Sequence, residues 1–135
     1  MGCSGDGAGS RGYPVDVRSR VGQVAAAVGA VGVQAVVLYA PRAPQVATGG
    51  LPVDKAVHLS VFALATAALA WAGVPRWLAV SAMALHAPLS EVVQDRLLPG
   101  RSGEPADIAA DLLGVALGAW LVRPRAGRQD GPGAG

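Results

Sequence analysis

"SEVVQDRLLPGRSGEPADIAADLLGVALG", from Ser90 to Gly118, is the stretch that decides the fold. Four of its acids, Glu91, Asp95, Asp107 and Asp111, are among the most informative in the chain, yet it lies between runs that carry almost no charge. Val21 to Pro41, Ala56 to Pro75 and Trp77 to Ser90 contain no Asp, Glu, Lys or Arg, and neither does Leu112 to Val122. A helix of such length in a soluble protein needs a wet polar face opposite its buried one. These runs offer only Ala, Gly, Ser, Thr and an occasional Gln or His, so they read as membrane spans.

Composition agrees with that reading. The chain has 135 residues, 52% of them apolar and 15% charged, enough for one domain. Its formal net charge of +2 gives no basic patch for nucleic acid, and no nucleic-acid partner is expected. The start "MGCSGDGAGS" lacks the Ser or Thr that a myristoylation signal places where Asp6 stands. Cys3 is the sole cysteine and implies neither a disulfide nor a lipid anchor. Val21 to Ala40 is longer than the apolar core of a signal peptide and is expected to remain as an uncleaved span.

Breakers divide the chain. Residues 1–20 and 123–135 are rich in Gly, Pro and Arg and are predicted to be disordered tails. Residues 21–122 then form an all-α bundle of four transmembrane helices. The first runs from about Val21 to Ala40 and stops at "PRAP". The second runs from Val53 to Ala72, with Asp54 favouring its positive end and Gly73 and Pro75 closing it into a tight hairpin. The third spans about Arg76 to Asp95, with a bend at Pro88. The fourth starts near Ala106 after "PGRSGEP" and ends at Val122. Small residues four apart, Gly22, Ala26 and Ala30 in the first helix and Gly114 and Gly118 in the fourth, allow backbones to approach closely.

Orientation follows from the eleven basic residues. With both termini in the cytoplasm, Arg11, Arg18, Arg20, Arg76, Arg123, Arg125 and Arg128 are inside, and Arg42, Lys55, Arg96 and Arg101 are outside. Seven against four satisfies the positive-inside rule and brings Trp71, Trp77 and Trp120 to the inner interface.

In this topology the polar residues converge at the outer end. Asp107, Asp111, Gly114 and Gly118 share one stripe of the fourth helix at about 100° per residue. Glu91 and Gln94 lie one turn apart on the third, and Asp54, Lys55 and His58 gather on the second. Acids within a span are costly unless they face a bundle interior, so they imply cationic partners: Lys55, Arg101, Arg96 or His58. His86 falls on another face from Glu91 and reads as a packing residue near Pro88.

At these residues the chain resembles the VanZ-like membrane protein family. "DKAVHLSVF", "SEVVQ", "PGR" and "ADIAADLLGVALG" match its pattern of Asp-Lys-x-x-His, Glu-x-x-Gln, an Arg and Asp-x-x-x-Asn-x-x-Gly, in order. The resemblance covers about residues 21 to 122. It implies polar family positions at Asp54, Lys55, His58, Glu91, Gln94, Arg101, Asp107 and Gly114. One position departs: Asp111 stands where the family usually has Asn. Membership implies a multi-pass protein of the bacterial cytoplasmic membrane, with an envelope role associated with resistance to teicoplanin.

Two functions stay open on the residues. One is a non-enzymatic protein whose outer polar site binds a lipid headgroup, a cell-wall precursor or a glycopeptide antibiotic. The other is a small membrane enzyme acting on a lipid-linked substrate, with Glu91 or Asp107 as base. Only Ser102 and Arg101 offer further catalytic chemistry, and no catalytic residue is assigned. No His-x-x-x-His or Glu-x-x-His pair is present, so neither a metal nor another cofactor is expected.

Overall fold

The computed structural model describes residues 17–40, 53–99 and 103–123. These form four α-helices: α1 Val17–Tyr39, α2 Val53–Trp71, α3 Arg76–Leu97 and α4 Pro105–Leu121. No strand occurs among the described residues. The C-terminal tail from residue 124, most of the N-terminal one and Arg101 lie outside them.

α1 begins four residues before the expected Val21. Val17 to Arg20 follow the last breaker, Pro14, and contain nothing that opposes a helix, so the boundary set by the first charge-free residue was too late. α2 ends in a reciprocal cap. The Val74 N–H donates to Leu69 O at 3.1 Å and the Gly73 N–H to Ala70 O at 3.2 Å, with Gly73 at φ +96°, where a side chain would be strained. Pro75 then opens α3, which continues through Pro88.

α2 and α3 each pack against all three other helices, but α2 does so more extensively, above all against α4, while the backbones of α1 and α4 stay apart. α4 runs parallel to α2 and lies closest to it. The reason is the glycine stripe: a methyl group on Gly114 would fall onto the carbonyl oxygen of Leu59, and one on Gly118 onto that of Ala63. Only hydrogen at these positions lets the two backbones meet. In α1 the matching stripe has no such role, since Gly22 has nothing within 4 Å of where its Cβ would stand and Ala26 is exposed. The helix buries Ala27, Gln34 and Leu38 instead.

Leu38, Val61, Phe62, Ala87 and Val115 make a compact core from all four helices. The outside of the bundle is also apolar. α1 exposes Val17, Val21, Val24, Val28, Val31, Val33 and Val36, and α4 exposes Leu112, Leu113, Leu117, Trp120 and Leu121. Exposed apolar area on this scale marks a surface that meets something other than water. α1 and α2 are long and apolar enough to cross a membrane. α4, with 17 residues, rises about 26 Å against a hydrocarbon core of about 30 Å.

Candidate functional site

The parallel register of α2 and α4 builds the site. Lys55 faces Asp107, His58 faces Asp111 one turn deeper, and the glycine seam follows below. α3 runs antiparallel to both and brings Glu91 to the same depth. Residues far apart in the chain therefore meet at one end of the bundle.

Its outer layer is a lysine between two acids. Lys55 Nζ donates to Asp107 Oδ1 at 2.9 Å and to Glu104 Oε2 at 3.1 Å. Asp107 is buried, whereas Glu104 and Lys55 reach solvent. Glu104 stands at the residue before α4, with Pro105 in the first turn, and its backbone N–H donates to Glu91 Oε2 at 3.0 Å. One residue thus ties α3 to α4 through its backbone and α4 to α2 through its side chain. Sequence reasoning overlooked Glu104; the signal was an acid directly before a helix-opening proline.

The inner layer is a histidine between two carboxylates. His58 Nδ1 lies 3.0 Å from Asp111 Oδ1 and 3.9 Å from Glu91 Oε1. All three side chains are at least 95% buried. Glu91 Oε1 and Asp111 Oδ2 are buried and form no hydrogen bond with any described residue. Leaving a buried acceptor unpaired costs about 1–3 kcal/mol, more when it is charged. Two such oxygens beside one imidazole are thus a costly arrangement for a purely structural contact.

The other expected members fall around these layers. Asp54 sits exposed in the first turn of α2, and Gln94 is buried one turn beyond Glu91 on α3. Arg96 does not join the cluster, because its Nε pairs with the neighbouring Asp95 at 3.2 Å on the open surface. Lys55 pairs with Asp107 and Glu104 rather than with Glu91. A cleft of about 310 Å³ opens beside the site, with Glu91, Asp95, Gly103, Glu104 and Ile108 among its lining residues.

His86 has polar partners that the packing expectation missed. Its Nε2 is 2.9 Å from Tyr39 Oη, and its Nδ1 is 3.5 Å from Gln34 Nε2, while its ring tilts against Phe62 at 5.6 Å. The tautomer with hydrogen on Nε2 satisfies both contacts, with Gln34 donating to Nδ1 and His86 donating to Tyr39. The partners lie 47 and 52 positions away on α1, so no local spacing reveals them.

Among the described residues the cluster gathers five carboxylates, Asp54, Glu91, Glu104, Asp107 and Asp111, about one lysine and one imidazole. In this set acids outnumber bases. Ser90, the buried hydroxyl nearest in sequence, is engaged with Ala87 O at 2.8 Å and is no activated nucleophile. Comparison with protein-family models, with curated proteins and with solved structures finds no match, and the chemistry rests on this geometry.

Proposed function

We propose that the chain is a VanZ-like, four-span protein of the bacterial cytoplasmic membrane, and that the polar end of its bundle binds an envelope molecule from the outer leaflet. The observation that carries this reading is a buried polar cluster, contributed by α2, α3 and α4, inside a bundle whose outward face is apolar. Polar groups at such a position are expensive and face a cavity or a ligand.

The excess of acids narrows the ligand class. A bare pyrophosphate would be repelled by the acids, which outnumber Lys55 and His58 among the described residues. An ammonium group on a lipid headgroup, a cell-wall precursor's peptide or a glycopeptide's amino sugar would be attracted by the negative charge that Asp54, Glu104 and Asp107 keep in excess of the single charge of Lys55. The wild-type protein, purified in mild detergent, is expected to carry such an amine-bearing molecule in native mass spectrometry. Asp107→Asn should lose it at matched expression and unchanged helicity. Equal retention by both proteins would reject the site.

Topology is tested separately. In a Cys3→Ser background, single cysteines at Gly49 and Ser102 should react with an impermeant thiol reagent in intact cells, and one at Gly131 should not. Labelling confined to Gly131 would turn the polar end to the cytoplasm.

A further inference from the structure

We infer that His58, Glu91 and Asp111 form a binding site for one divalent transition-metal cation, with zinc preferred. Each residue offers one ligand atom, and these three atoms lie within 4.8 Å of one another. The ligands come from α2, α3 and α4, all three side chains are buried, and one oxygen of each carboxylate is left without a hydrogen bond.

Distances favour a cation. With bonds of about 2.1 Å, a four-coordinate zinc holds its ligand atoms about 3.4 Å apart. The observed separations of 3.0 Å and 3.9 Å from His58 Nδ1 lie on either side of that value. Side-chain rotation supplies the rest of the closure. The cation replaces the hydrogen between His58 Nδ1 and Asp111 Oδ1, and it neutralises two acids that otherwise repel each other across the imidazole.

The donor set selects the metal class. An imidazole nitrogen beside two carboxylate oxygens suits zinc or another nitrogen-seeking metal over magnesium, which prefers oxygen alone. Three protein ligands leave one position of a four-coordinate zinc for a water. A second trio, Asp54, His58 and Asp107, is also close enough, but Lys55 already occupies Asp107 Oδ1 and Asp54 is exposed. The inner trio is the better site.

This proposal goes beyond envelope binding and does not require it, since the ligands lie one turn deeper than Lys55 and Asp107. The test uses tag-free full-length protein in detergent, stripped with a chelator and titrated calorimetrically with ZnCl2, with Co2+ absorption as a second readout. Uptake of one Zn2+ per chain is expected, and Co2+ should give the intense visible bands of a low-symmetry site. Asp111→Asn keeps an acceptor for His58 and should leave the metal-free fold intact. Its affinity for Zn2+ should fall by at least the ~10–100-fold that loss of an outer-shell partner costs. Glu91→Gln, which retains an acceptor for the Glu104 N–H, should weaken binding likewise and serves if Asp111→Asn fails to fold. Asp107→Asn should lose the envelope ligand of the preceding section and still take up Zn2+, which separates the two readings. No stoichiometric uptake by the wild type, unchanged affinity in the two inner variants, or equal uptake of Mg2+ would overturn the metal site.

Discussion

Gly114→Ala and Gly118→Ala are each expected to lower the unfolding free energy of the detergent-solubilised protein by about 1–3 kcal/mol or more, as overpacking does elsewhere. The added methyl would meet the carbonyl oxygen of Leu59 or Ala63, and a carbonyl fixed in a helix cannot rotate aside. α4 must then move off α2. Because the seam continues directly from His58–Asp111 and Lys55–Asp107, the polar contacts should loosen with it. Gly22→Ala supplies the control. Nothing lies near its Cβ position, so the exchange should be neutral or stabilise α1 by about 0.5–1 kcal/mol through helix propensity. Thermal unfolding of the three variants side by side measures the contrast. Equal effects at Gly114 and Gly22 would mean that α2 and α4 do not pack through the glycine seam.

His58→Leu is expected to be still more damaging. It removes the nitrogen that lies 3.0 Å from Asp111 and 3.9 Å from Glu91 and leaves two buried carboxylates facing each other. Stranding one member of a buried pair costs about 3–5 kcal/mol. Replacing both members by apolar groups should cost less than the two losses together, so His58→Leu combined with Asp111→Leu is predicted to recover part of the stability. The cycle is measured in chelator so that only the metal-free pair contributes. A coupling below about 0.5 kcal/mol would show that the two residues act independently.

Much of the helical framework was legible in the chain because its signals are local. Charge-free runs gave the helices, Gly73 and Pro75 gave the α2–α3 hairpin, and "PGRSGEP" gave the gap before α4. The polar cluster was legible as a set of residues, since Lys55, His58, Glu91, Asp107 and Asp111 all stand near helix ends that the topology brings together. Their pairing was not. Periodicity places a residue on a face of its own helix but does not say which residue of another helix it meets, and a choice between Glu91 and Asp107 as partner of Lys55 depends on the relative height of α3 and α4. The same limit concealed Glu104 and the contact of His86 with Gln34 and Tyr39. It also concealed the His58–Glu91–Asp111 trio, whose members share no helix and so show no ligand spacing.

α2 and α4 are partners in space but not neighbours in the chain, and this sets an order on biogenesis. Chains are made from the N-terminus. On the membrane reading, α2 and α3 therefore reach the translocon with Lys55, His58 and Glu91 before Asp107 and Asp111 have been synthesised. Until then the groove along Leu59 and Ala63 is open and the lysine lacks its buried acid. The final helix supplies both the counter-charge and the lid for that groove, so a nascent chain stalled before Asp107 presents the quality-control machinery with features that the finished protein conceals.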